Sequence, residues 1–239
     1  MKRKKRIRII MITVLIIAAV IMAFRTYTGN YYHAKAYETE TSLVEESDDY
    51  IAYGDEKSST GLIFYPGAKV EETAYAPLMD ALSGDGLFCV VVKMPERLAV
   101  LDPNAAAEIM EKYDGVEQWY LAGHSLGGAM AANFAAEHES ELSGLILLAA
   151  YPTKELKELP VLSIYGSEDE VLNKKKYEKS IVLADVCTEY VIEGGNHAGF
   201  GNYGEQKGDG EAAVSGEEQW QETADYILNY IRDSRARRE

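Results

Sequence analysis

From about Tyr50 onward, short apolar runs rich in β-branched residues alternate with stretches of helical periodicity, and no other feature limits the possible folds as strongly. Strands are expected at Gly61–Tyr65, Leu87–Lys93, Gln118–Ala122, Leu145–Ala150, Val161–Tyr165 and Glu189–Ile192, with helices near Thr73–Leu82 and Asn104–Tyr113 between them. The strand runs are continuously apolar instead of alternating, the pattern of strands covered on both faces. Strand and helix in turn therefore predict an α/β domain with a mostly parallel central sheet and helices on both sides. A last helix carries Trp220, Ala224, Ile227, Leu228 and Ile231 on one face.

The first 25 residues belong to a different kind of chain. Lys2, Arg3, Lys4, Lys5, Arg6 and Arg8 precede Ile9–Phe24, sixteen residues without a charge, and Arg25 follows. At about 1.5 Å per residue that run spans about 24 Å, short of the ~30 Å of a bilayer core. Snorkelling of Arg8 and Arg25, with Tyr27, Tyr31 and Tyr32 at the interface, would supply the rest. No small-x-small site follows closely (Ala34-Lys-Ala36 lies far downstream), so residues 1–25 are expected to be a retained single-pass signal-anchor, with secretion after cleavage as the alternative. The basic flank directs the C-terminal body out of the cytoplasm. Residues 26–49 read as a polar tether and 50–239 as one globular domain.

The chain carries −15 overall, and setting aside the seven N-terminal cations leaves −22 on the remainder. A body that acidic repels polyphosphates, which argues against nucleic acid as a partner and leaves the membrane and a small molecule. The two cysteines, Cys89 inside a buried strand and Cys187, are expected as free thiols. Four scattered histidines and no Cys-x-x-Cys or His-Glu-x-x-His pattern imply neither a metal site nor another cofactor. Oligomeric state is not legible.

Chemistry concentrates at Gly123-His-Ser-Leu-Gly127, which follows the strand Gln118–Ala122 and opens the small-residue stretch Gly128–Ala136. A strand, a sharp turn and a helix around Gly-x-Ser-x-Gly would hold Ser125 in a strained conformation with its hydroxyl exposed, the glycines making room for neighbouring backbone. A serine hydroxyl needs a base, and the base an orienting carboxylate. His33 lies in the tether, His138 sits between two glutamates and His124 adjoins the nucleophile. His197, in the glycine-rich loop Glu193–Gly201, remains. The strand Val161–Tyr165 ends in Gly166-Ser-Glu-Asp-Glu170; Asp169 is the preferred acid, with Glu168 and Glu170 as substitutes.

With Phe64-Tyr-Pro-Gly-Ala68, Gly123–Gly127, Gly166–Asp169 and Gly195-Asn-His197 in this order, residues 50–235 resemble the α/β-hydrolase superfamily, in particular its small capless members akin to the dienelactone-hydrolase group. That resemblance implies the α/β-hydrolase fold and a triad of Ser125, Asp169 and His197. It also implies an oxyanion hole from the backbone N–H of Leu126 plus that of Gly67 or Ala68. Many relatives carry His-Gly where this chain has Pro66-Gly67, which leaves the second donor open between those two. Dienelactone hydrolases use cysteine, so their substrate does not carry over. Only Thr153–Pro160 is available between two strands where larger relatives insert a lid, so no cap is expected. Tyr65, His124, Tyr151 and Phe200 are candidates to line the cleft, the last within the loop Phe200–Gly210. The expected activity is hydrolysis of a carboxylic ester, carboxylesterase-like, through an acyl-enzyme on Ser125. The alternatives are acyl transfer by the same triad and a catalytically silent membrane-tethered binding module.

Overall fold

The structure, a computed structural model, describes residues 2–39 and 43–236. It divides into two compact units, one ending at Tyr31 and one comprising residues 32–239. The first unit is a helix, α1 (Lys2–Gly29). Its large apolar side chains from Ile9 to Phe24 stand 40–71% exposed, and an 18-residue window within Lys5–Gly29 has a mean hydropathy of 2.8. It is long and apolar enough to cross a membrane, by length and composition. The helix does not stop at Phe24: it continues to Gly29, and its 28 residues span about 42 Å. The side chains of Lys2–Lys4 and Arg8, and residues 40–42 of the expected tether, lie outside the described residues.

In the second unit an eight-stranded sheet runs in the order β1-β2-β4-β3-β5-β6-β7-β8. The strands are β1 (Leu43–Glu46), β2 (Tyr50–Tyr53), β3 (Thr60–Tyr65), β4 (Phe88–Val92), β5 (Gln118–His124), β6 (Gly144–Leu148), β7 (Val161–Gly166) and β8 (Cys187–Ile192). β1 pairs antiparallel with β2 and β2 antiparallel with β4, and all other neighbours are parallel. Strands β1 and β2 were not expected from the sequence. They turn at Ser47–Asp49, where the Ser47 hydroxyl oxygen accepts from the backbone N–H groups of Asp49 and Tyr50. The tether expectation is corrected to that extent. Upstream of β1, Tyr32 N–H also donates to Lys69 O at 2.7 Å and Lys35 N–H to Asn202 O at 2.7 Å, so a stretch without periodicity finds its backbone partners on the body's loops.

The helices are α2 (Ala76–Gly84), α3 (Ala105–Lys112), α4 (Leu126–Ala135), α5 (Lys174–Ser180) and α6 (Gly216–Ala236). Because strand side chains alternate, each central strand feeds two cores. Leu62, Phe64, Tyr120, Ala122, Ile146 and Leu148 meet α2 and α6 on one face. Ile63, Tyr65, Leu121, Leu145 and Leu147 meet α3 and α4 on the other. Cys89 in β4 and Cys187 in β8 are separated by the four strands β3, β5, β6 and β7, or about 24 Å at ~4.8 Å per strand, far beyond disulfide reach. Residues 149–160 between β6 and β7 contain no helix and hold no cap.

Chain order and strand order diverge at β3: β4 lies to one side of it and β5 to the other. At such a switch point the loops leaving the two strands part and open a crevice at the sheet's C-terminal edge. The loops after β3 and β5 carry Pro66–Ala68 and Ser125.

Candidate active site

Ser125 sits between β5 and α4 with φ 54° and ψ −121°, a backbone conformation that L-residues avoid. The turn is held because Ser125 N–H donates to Leu148 O at 2.9 Å while Ser125 O accepts from Ala129 N–H at 3.0 Å. The flanking glycines are required by space. A Cβ on Gly123 would lie 2.6 Å from Gly128 N, and one on Gly127 would lie 2.2 Å from Tyr65 O and 2.3 Å from Pro66 O. The first turn of α4 is thereby pressed against the loop after β3.

Asp169 and His197 are both buried and in contact: His197 Nδ1 lies 2.9 Å from Asp169 Oδ2. The carboxylate accepts, so the ring proton sits on Nδ1 and Nε2 keeps its lone pair. The other carboxylate oxygen accepts from Val171 N–H at 2.9 Å and Leu172 N–H at 2.7 Å. Glu168 takes the Ser167 hydroxyl and is exposed, as is Glu170, so neither flanking acid meets the ring. His197 Nε2 is buried without a hydrogen-bond partner among the described residues, and Ser125 Oγ makes no bond to it. His33 pairs with Glu71 and His138 with Glu141, both toward solvent.

The two loops carrying these residues interlock. A Cβ on Gly166 would lie 2.1 Å from Gly195 O, and Glu168 N–H donates to the same carbonyl at 2.9 Å. Two residues that the sequence reading missed complete the lock. Asp209 Oδ1 accepts from Gly210, His197 and Glu170 N–H at 2.9, 3.2 and 3.4 Å, and its Oδ2 from Ala198 N–H at 2.8 Å. One carboxylate thus ties the acid loop to the base loop. The buried Gln219 of α6 accepts from Asn196 N–H at 3.1 Å and donates to Asn196 O at 2.8 Å. The run Lys207-Gly-Asp-Gly210 gives no sign of this in the sequence, because an acid among glycines carries no local signature.

Several expected cleft residues lie elsewhere. Tyr65 is completely buried on the α3 side, its hydroxyl donating to Pro103 O at 3.0 Å and accepting from Ala106 N–H at 2.7 Å; the alternation along β3 turns it away from the cleft. Phe200 is buried against the His124 ring, 5.6 Å between centroids, and Tyr203 of the same loop is buried too, so the start of this loop is part of the core while Glu205, Lys207 and Gly208 are exposed. His124 is 1% exposed, its ring enclosed by those of Tyr75, His197 and Phe200. Tyr151 is half-buried and packs on the cluster of Leu172, Tyr177 and Ile181.

Gly67 is corrected as well. Its N–H already donates to the buried Tyr75 hydroxyl at 2.9 Å, while the N–H groups of Ala68 and Leu126 donate to no protein acceptor among the described residues. Tyr75 Oη lies 2.8 Å from His124 Nδ1, and that nitrogen is the one acceptor within reach of the buried phenol proton among the described residues, so the proton goes to it. The His124 ring packs against that of His197, 4.6 Å between centroids and tilted by 47°. Burial, and secondarily the neighbouring His197, holds His124 well below the usual histidine range. Burial likewise pushes the Tyr75 phenol above its ordinary value.

Among solved structures, the chain is similar to MGS-MChE2, an alpha/beta hydrolase from a metagenome of sediments from the lagoon of Mar Chica, Morocco. Identity is 14% and the TM-score 0.62, over 80% of this chain and 98% of that one. Est1E from Butyrivibrio proteoclasticus matches at 16% identity and TM-score 0.57, covering 82% and 99% of the two chains. A bacterial membrane phospholipase A described as a virulence factor matches at 15% and 0.59, over 97% and 99%. No curated protein matches the sequence. The model of the alpha/beta hydrolase family matches residues 61–221, more than half of the chain, and with the sheet order and the serine turn already described, the chain belongs to the alpha/beta hydrolase family.

Proposed function

We propose that the protein is a serine hydrolase that cleaves a carboxylic ester through an acyl-enzyme on Ser125. The observation that carries this reading is a serine strained at φ 54° at the C-terminal end of β5, with a buried Asp–His pair whose outer nitrogen has no partner and whose ring lies 4.6 Å from that of His124, the residue before the serine. A strained turn and a buried nitrogen without a partner both cost stability and serve no packing purpose. His197 Nε2 takes the Ser125 proton as Oγ attacks the ester carbonyl, in a contact that substrate-free hydrolases often close only on binding. Asp169 keeps the ring in the Nδ1–H tautomer and stabilises the imidazolium. The N–H groups of Leu126 and Ala68 receive the developing oxyanion. His197 then protonates the leaving alcohol, and water repeats the sequence on the acyl-enzyme.

The short β6–β7 connection supports substrates with a small or flexible acyl group that enter an uncovered cleft. The exposed apolar α1, with cations before it, supports a membrane-held domain on the extracytoplasmic side. The test is fluorophosphonate labelling of the detergent-solubilised chain and its Ser125→Ala variant, with hydrolysis of p-nitrophenyl esters of increasing acyl length. Labelling and turnover that both vanish in the variant support the reading. A folded wild-type chain with neither favours a silent binding module, and product diverted to an added alcohol identifies acyl transfer.

A further inference from the structure

From the buried chain Gly67 N–H to Tyr75 Oη to His124 Nδ1, we infer that Tyr75 and His124 are positioning residues that set the oxyanion donor at Ala68 relative to the base His197. The inference deepens the serine-hydrolase reading and rests on it. Both side chains are buried.

The chain of contacts fixes direction as well as distance. Gly67 N–H fills an acceptor site of the Tyr75 hydroxyl at 2.9 Å, and His124 Nδ1 at 2.8 Å is the one acceptor within reach of the buried phenol proton among the described residues, so the His124 proton is confined to Nε2. That tautomer is neutral, as its depressed proton affinity requires. The loop after β3 turns at Ala68–Lys69, where Val70 N–H donates to Gly67 O at 3.2 Å and Lys69 N–H to Arg97 O at 2.8 Å, and Tyr75, rising from the turn before α2, holds the Gly67 N–H one residue before the free N–H of Ala68. The fit leaves no slack: a Cβ at Gly67 would lie 2.8 Å from His124 Nδ1 and 3.0 Å from Tyr75 Oη. At its other edge the His124 ring packs on His197, 4.6 Å between centroids, and on Phe200 of the turn that follows it. Phe64 supports Tyr75 from β3, ring to ring at 4.6 Å. One hydrogen-bonded and ring-packed column therefore runs from the oxyanion loop to the base, through the residue that immediately precedes the nucleophile. It gives His124 a role that needs no substrate contact.

Donors aimed at a transition-state oxyanion act on kcat more than on KM, and a displacement of about 1 Å costs on the order of 10²-fold. The experiment uses the full chain in detergent with p-nitrophenyl acetate, after fluorophosphonate labelling of wild type and its loss in Ser125→Ala have established the nucleophile. Tyr75→Phe should lower kcat by about 30–100-fold with KM within about threefold, at unchanged circular dichroism. His124→Asn, whose amide oxygen can still accept from Tyr75, should keep most of the kcat that the near-isosteric His124→Leu loses. Wild-type labelling with a Tyr75→Phe kcat within threefold of normal, or a change in KM alone, overturns the inference while sparing the hydrolase reading. If Tyr75→Phe does not fold, equal kcat in the Asn and Leu variants overturns it. A folded wild type that takes no probe and hydrolyses nothing overturns the reading on which it rests.

Discussion

Replacement of Asp169 by Asn probes the site with the least disturbance of its surroundings. Asp169 Oδ1 holds Val171 N–H and Leu172 N–H, and an Asn carbonyl in that place keeps both bonds, so the loop stays in position. What changes is the group facing His197 Nδ1 at 2.9 Å: an acceptor becomes an NH2 donor. The imidazole answers by moving its proton to Nε2, where it can no longer take one from Ser125. A base in the wrong tautomer costs kcat about 10⁴-fold, or about 5.5 kcal/mol of barrier, since each factor of ten is about 1.4 kcal/mol. Substitution by Ala would strand both N–H groups and the ring, at about 1–3 kcal/mol each, and confuse stability with chemistry. The assay is initial-rate hydrolysis of p-nitrophenyl acetate together with the rate of fluorophosphonate labelling, since both require a basic Nε2. A loss of less than tenfold in Asp169→Asn, or an equal loss in Glu168→Gln or Glu170→Gln, refutes the assignment.

Three further outcomes follow from the same contacts. A Cβ at Gly127 meets the carbonyl oxygens of Tyr65 and Pro66, which are backbone atoms unable to give way cheaply, so Gly127→Ala should cost about 3 kcal/mol or more in chemical denaturation. Asp209→Ala frees four N–H groups at a partly solvated site and should cost about 1–3 kcal/mol while lowering kcat, because it unties the loops of Asp169 and His197; a variant with wild-type kcat refutes that link. His124 has a folded pKa below its unfolded value of about 6.5, so the unfolded chain binds the extra proton and stability falls as pH drops below about 6.5. The contribution is up to about 1.4 kcal/mol per pH unit, and thermal melts from pH 7 to 5 should be less pH-dependent in His124→Asn than in wild type.

The sequence by itself determined the layered α/β architecture, because continuous apolar runs such as Phe88–Val92 and Gly144–Leu148 leave no strand face for water. It also determined the serine turn, whose glycines at 123 and 127 record a local steric demand. Both signals are short-range and need only neighbouring residues to be read. The antiparallel pair β1 and β2 escaped because four-residue strands in an acidic stretch carry too little pattern. Which carboxylate meets His197, and which N–H is left open after β3, were decided only by tertiary structure. Asp169 and its two glutamate neighbours are chemically alike, and contact across 28 residues separates them. Gly67 differs from Ala68 only because a tyrosine eight residues on turns its hydroxyl back to the Gly67 N–H. Tyr65 and Phe200, apolar residues beside functional loops, look like cleft residues in one dimension, and the pleat of β3 and the packing on His124 put them in the core. Asp209 has no local signature, since its role exists only once three loops converge on its carboxylate. Side-chain type is written in the sequence, but the choice among equivalent groups belongs to long-range packing, which brings one candidate to its partner and carries the others away.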